Sequence, residues 1–297
     1  MSLTARISVQ DEDACNDPED VFASALGTIF PDDVMNLHGD PGQTLVYKSP
    51  HLSGPLLLKL CEPLQETDKK LFSHHMWNSS LLLAEMIEAD TLNIPLGTEP
   101  RIKNDARCNV KGRRVIEFGA GAGLAGIIAG LVGAQRVAVT DYPSETLLEP
   151  LRGNISRCMN PKLAPPGVAP GADVFVEGHG WGELTNDFSV REKHAFDCVV
   201  AADVLWMPWQ HDNLRKSIEH FLSHQADARC WLIAALHTGR AKVAMFFDVA
   251  ELKKFGLEIE FIWERDCNGL EREWKEDRYD DFQYKKRWLI LAVLKRI

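Results

Sequence analysis

The sequence predicts an α/β fold, a Rossmann-like, mostly parallel sheet of seven strands that ends in an antiparallel pair at one edge and carries a small N-terminal extension. Three observations predict it. Strand-like and helix-like runs alternate from residue 113 onward. Closely spaced glycines follow the first of those strands. The last two strand-like runs, EIEFIWERD and KRWLILAVLKR, are joined by a charged loop instead of a helix. Alternation of this kind implies right-handed βαβ units, and parallel strands covered on both faces read as continuous apolar runs.

The elements follow in order. Residues 1–20 are acidic, polar and without periodicity, which predicts a mobile tail. Residues 21–76 form the extension; within it TLVYKSPHLSGPLLLKL, Thr44 to Leu60, gives two apolar runs parted by Ser, Pro and Gly, the pattern of a β-hairpin. Residues 77–297 form the main domain. Asn78 or Ser79 can cap its first helix, in which Leu82, Leu83, Met86 and Ile87 recur at helical spacing. A boundary loop with two prolines runs from Leu92 to Val110. RRVIEF, RVAVTDY, ADVFVEG, FDCVVAADVL and CWLIAALH then read as strands. GLAGIIAGLVG, SETLLEPLRGNISRCM, NLRKSIEHFLSH and AKVAMFFDVAELKKFG read as the helices between them.

Composition narrows the class. Hydrophobic residues at 45% and charged residues at 26% describe an ordinary folded, soluble chain. A net charge of −10, with no run of Lys and Arg, repels a phosphate backbone and argues against nucleic acid as a partner. No apolar stretch approaches the roughly 20 residues of a membrane span, and the N-terminal residues lack the core of a secretory signal. Seven scattered cysteines with no C-x-x-C pair suit reduced thiols. The expected compartment is the cytoplasm, or the nucleus.

The chemistry concentrates in Val115-Ile116-Glu117-Phe118-Gly119-Ala120-Gly121-Ala122-Gly123-Leu124-Ala125-Gly126. Glycines between a buried strand and an apolar helix allow a tight turn and a close backbone approach, and the helix start presents free N–H groups. From Gly121 the letters also satisfy G-x-G-x-x-G, so NAD is a competing cofactor. Glu117 argues against it: a carboxylate there repels a pyrophosphate but can orient the ammonium of S-adenosylmethionine. Asp141 ends the next strand about 20 residues on, where an acidic side chain can accept hydrogen bonds from both ribose hydroxyls.

On Glu117-Phe118-Gly119-Ala120-Gly121-Ala122-Gly123-Leu124 and Val139-Thr140-Asp141-Tyr142-Pro143, the chain resembles the seven-β-strand lysine methyltransferase-like family. Within it, the chain is most similar to the fungal nicotinamide N-methyltransferase-like branch, which includes methyltransferases of elongation-factor lysines and N-termini. The resemblance runs from His75-Met76-Trp77-Asn78 to the C-terminal strand. It implies S-adenosylmethionine as cofactor, with S-adenosylhomocysteine as product. It also implies a cofactor-contacting Trp77 and Tyr142, a Trp181 beside the adenine, and a small residue followed by Asp at the end of the fourth strand, here Ala202 and Asp203. Many relatives carry Tyr where this chain has Trp206.

Asp203 and His237, both at carboxyl ends of strands, are the candidate groups for orienting or deprotonating an amine. Trp206 and Trp209 are candidate walls of the acceptor pocket. The pairs His74/His75 and His220/His224 lack a third ligand, so no metal is expected. The leading expectation is N-methylation of a protein amine. A small-molecule acceptor in a pocket closed by Trp206 and Trp209 is the first alternative, and a methyltransferase fold with altered or lost activity is the second.

Overall fold

The computed structural model describes residues 2–10, 36–63, 65–96, 106–279 and 286–297. The strands are β1 Ile7–Val9, β2 Leu37–His38, β3 Thr44–Tyr47, β4 Leu56–Lys59, β5 Met76–Trp77, β6 Arg114–Phe118, β7 Arg136–Asp141, β8 Asp173–Gly178, β9 Cys198–Ala202, β10 Arg229–Ala235, β11 Leu257–Asp266, β12 Glu271–Glu273 and β13 Trp288–Arg296. The α-helices are α1 Glu66–Lys69, α2 Asn78–Leu92, α3 Leu124–Leu131, α4 Glu145–Cys158, α5 Asp187–Arg191, α6 His211–Phe221, α7 Arg240–Ala244 and α8 Val249–Lys254.

The main sheet has the order β12-β11-β13-β10-β9-β6-β7-β8, with β8, β7, β6, β9 and β10 mutually parallel. Period-two alternation distributes its side chains: Val115 and Val200 join the apolar cluster on one face, Ile116 and Val199 that on the other. Strand β13 lies antiparallel between β10 and β11, so the expected antiparallel pair is present but the last strand is interior.

The sheet has one strand more than the seven expected, because Glu271–Glu273 pairs with Trp263–Arg265 inside the loop that reads as merely charged. Its charges are not all solvated. Glu264 is wholly buried and accepts hydrogen bonds from Arg240 Nη1 and Arg272 Nε, each at 2.8 Å. A buried carboxylate needs such partners, and they draw the loop onto the sheet.

Other expectations shift locally. The long helix expected over AKVAMFFDVAELKKFG breaks, because Asp248 Oδ1 accepts the Glu251 N–H at 2.9 Å and caps a new helix, α8. Neither Asn78 nor Ser79 caps α2; Trp77 holds that position, and Asn78 Oδ1 instead takes the His38 Nε2–H at 2.8 Å. The mobile tail is replaced, over Leu3–Arg6 and Ile7–Val9, by a 3-10 turn and a strand that joins the β3–β4 hairpin. Arg6 is buried, and its Nη2 lies 2.9 Å from Glu85 Oε1 on α2, a tertiary anchor with no local signature. Residues 11–20 of that expected tail lie outside the described residues. Leu45 and Leu58 of the hairpin share one apolar cluster with Leu82 and Ile127, so no packing seam separates extension from main domain. No helix among the described residues is long and apolar enough to cross a membrane.

Candidate active site

A cavity of about 390 Å³ opens at the carboxyl ends of β6, β7, β8 and β9. This is the switch point of the sheet, where the chain runs from β6 outward to β8 and then returns to β9, and the diverging loops leave a crevice. Each of the four strands contributes its following loop, and the segment between α1 and α2 supplies a further wall with Phe72 and Trp77.

The first loop is shaped by glycine. Gly119, Gly121 and Gly123 all take positive φ, and a Cβ on Gly119 would fall 3.0 Å from Val204 Cγ1 and 3.4 Å from Trp181 Cζ2. Asp141 fastens this loop: its Oδ2 accepts the Gly121 N–H and its Oδ1 the Tyr142 N–H, both at 2.7 Å. Burial pushes its carboxyl above the usual range, while those two N–H groups pull it back. Gly119, Ala120, Gly121, Asp141, Tyr142, Trp181 and Ala202 all line the cavity, and so does Trp77, whose Nε1–H is donated to the Phe72 carbonyl.

Glu117 does not line it. As the strand alternates, this side chain turns beneath α3, where Oε2 accepts the Gly126 N–H at 2.8 Å. Burial pushes its carboxyl up to about 8, opposed by N–H groups at the helix start and reinforced by Asp141. The expected contact with a ligand ammonium is therefore corrected to a buried cap on α3, a partner that spacing alone does not reveal.

After β8, Trp181 faces the cavity on a loop pinned by Ser217, whose Oγ accepts the Gly182 N–H and is hydrogen-bonded to His179 Nε2, both at 2.9 Å. Burial, helped by His220, lowers His179 to about 4, so it is a neutral wall residue.

After β9, Asp203 adopts a left-handed backbone, φ 59°, which Asp tolerates better than most residues. Asp203 lines the cavity; its Oδ2 accepts the His237 Nε2–H at 3.0 Å and its Oδ1 the Ala235 N–H at 3.3 Å. His237 itself does not line the cavity. It stands behind Asp203, half-buried, with its ring 4.6 Å from that of Trp77. Trp206 lines the cavity, but Trp209 does not: it is 72% exposed and meets the Trp206 ring edge-on at 6.4 Å. The closed aromatic pocket of the small-molecule alternative is thus open on the Trp209 side.

Phe72 and Glu183 are cavity residues that the sequence reading missed. The crowding of Phe72, His74, His75 and Trp77 into six positions was the available signal. Among the described lining residues are the carboxylates Asp141, Glu183 and Asp203 and no Lys or Arg. That lining suits a cationic ligand bearing a ribose and lacks the cations that a pyrophosphate would call for.

The model of the lysine methyltransferase family matches residues 62–253, which contain every cavity residue named here. This chain belongs to the lysine methyltransferase family. A protein N-terminal and lysine N-methyltransferase of Gibberella zeae is 28% identical over 203 residues, covering 65% of this chain and 69% of that relative. Proteins of the same description from Schizosaccharomyces pombe and Cryptococcus neoformans are 26% and 31% identical, covering 63% and 52% of this chain and 66% and 44% of their own lengths. A solved Streptococcus mutans chain, described as a candidate S-adenosylmethionine-dependent methyltransferase, superposes with a TM-score of 0.50 at 8% identity. It covers 94% of this chain and 65% of that one, and it bears on the fold alone. Family and relatives together make this chain an S-adenosylmethionine-dependent methyltransferase.

Proposed function

We propose that this methyltransferase acts on amines of proteins, a lysine side chain or an N-terminal amine, in the cytoplasm. The observation that carries the reading is the cavity lining of carboxylates and aromatic rings without Lys or Arg, because both the methyl donor and a protonated amine are cations. The exposed Trp209 favours a polymer over an enclosed small molecule, since the cavity stays open where a peptide must enter. The six described cysteines are all free thiols, which suits a reducing compartment.

S-adenosylmethionine, when bound, supplies an electrophilic methyl group whose sulfonium becomes a neutral thioether on transfer. Gly119, Ala120 and Gly121 would let the main chain approach the donor, Asp141 would accept its ribose hydroxyls, Trp181 would face its adenine, and Tyr142 and Ala202 complete the walls. Asp203 would orient the acceptor nitrogen and take its proton before attack. His237, donating its Nε2–H to Asp203 Oδ2 from behind, would hold that carboxylate in place, and the proton would leave Asp203 for water. Alignment in a dry site provides much of the remaining acceleration, on the order of 7–11 kcal/mol in favourable cases.

Transfer of a labelled methyl group from S-adenosylmethionine to peptides tests the reading. A peptide with a free N-terminus and one lysine is expected to accept label. The same peptide with its N-terminus acetylated and its lysine replaced by Arg is expected not to. Equal labelling of both, or labelling of small amines alone, would overturn it.

A further inference from the structure

We propose that Phe72, Trp77 and Trp206 form an aromatic recess that recognises the acceptor by its positive charge, with Phe72 a specificity-determining residue and Trp77 the positioning residue that holds it. The proposal rests on the reading of this end of the cavity as an amine acceptor site.

Phe72 is placed against its own preferences. Its φ is 54°, a left-handed conformation that a bulky side chain rarely adopts, and the residue is 46% exposed. The conformation is held from both directions: the Phe72 N–H donates to the Lys69 carbonyl at 3.2 Å, and the Phe72 carbonyl accepts Trp77 Nε1–H at 3.2 Å. The result is that the Phe72 ring lines the cavity and meets Trp206 at 5.4 Å with an 86° angle between planes, so the two rings form a corner. Nothing in the packing of the core requires an aromatic residue there, because Phe72 belongs to neither apolar cluster.

Two polar atoms at this wall are already engaged, Trp77 Nε1 by the Phe72 carbonyl and His237 Nε2 by Asp203, so what Phe72 and Trp77 offer a ligand is π surface. A ring face attracts a cation through its quadrupole whether the ammonium carries hydrogens or methyl groups, and it gives little to a neutral group of the same shape. Asp203 and Glu183 in the same cavity add a negative field of matching sense.

Choline and its neutral isostere 3,3-dimethylbutan-1-ol, titrated by calorimetry into the protein saturated with S-adenosylhomocysteine, test this directly. The wild type is expected to bind choline about tenfold more tightly than the isostere. Phe72→Leu and Trp206→Leu are expected to bring that ratio close to one while the affinity for S-adenosylhomocysteine stays within about twofold. Trp77→Phe keeps a ring and loses the N–H, and it is expected to cut the ratio about fivefold with the same cofactor affinity and an unchanged melting temperature.

Equal binding of the two probes by the wild type, or a ratio that survives all three substitutions, would overturn the proposal. So would a parallel loss of S-adenosylhomocysteine affinity in each variant, which would assign the rings to the donor. Charge discrimination in a wild type that methylates no peptide amine would leave the recess standing and remove the protein-amine reading alone.

Discussion

The proposed donor end of the cavity is built from main chain: Gly119 and Gly121 at positive φ, held by one carboxylate that accepts the N–H groups of Gly121 and Tyr142. The proposed acceptor end is built from large side chains, Phe72, Trp77 and Trp206, around Asp203. The difference sets what each end tolerates. A main-chain cradle is fixed by backbone conformation and admits little change, since a Cβ at Gly119 already meets Val204 at 3.0 Å. A wall of rings can be remodelled one residue at a time without disturbing the sheet beneath.

Separate ends can be broken separately. The largest effect is expected from Asp203→Asn, which keeps the shape and removes the charge. Turnover should fall by about 10²–10⁴ while calorimetry shows S-adenosylhomocysteine affinity within about twofold of wild type. A matching fall in cofactor affinity would merge the two ends into one. Asp141→Ala should do the reverse. Removing a carboxylate that accepts two N–H groups, each bond to a charged group worth about 1.5–3 kcal/mol, should weaken S-adenosylhomocysteine binding at least tenfold, with loss in kcat/KM and little in kcat at saturating donor.

Glu117→Gln sharpens the comparison through stability. With its folded value pushed up to about 8, against about 4.5 in the unfolded chain, the native state holds an extra proton across that interval. Stability is therefore lost as pH rises through it, by up to about 1.4 kcal/mol per pH unit. Urea midpoints between pH 6.5 and 8 should fall less steeply for the variant than for wild type, because His179, which titrates near the bottom of that window in the unfolded chain, contributes alike to both. Identical slopes would refute the buried-cap assignment.

The smallest effect belongs to Trp209→Ala: two- to threefold in KM for a peptide acceptor and none in donor binding, because the ring stands outside the cavity. A large loss of donor affinity would place it inside after all.

The two ends also differ in how far they could be read from the sequence. The glycine loop, Asp141 and the order of strand and helix are local patterns, in which a few adjacent residues carry both the conformation and the chemistry. The place of Asp203 was legible for a similar reason, since the carboxyl end of a parallel strand points to the crevice, whereas His237, at the end of the next strand, stands behind Asp203 and outside the lining. Phe72 was not legible, because its place depends on a carbonyl captured by an indole five residues on. The direction of Glu117, the anchoring of Arg6 on Glu85 and the arginines around Glu264 were hidden likewise, each depending on a partner brought in by the fold and not by local spacing.

The interior position of β13 carries a consequence for biosynthesis. Residues 288–296 are translated after every other strand of the sheet, yet they must insert between β10 and β11, which pair with each other only through them. Until that segment has emerged and inserted, two apolar edges stay open, and an exposed edge is a template for pairing with another nascent chain. Closure of the sheet therefore waits on residues 288–296, and a substitution that slows their insertion lengthens the time those edges stand open.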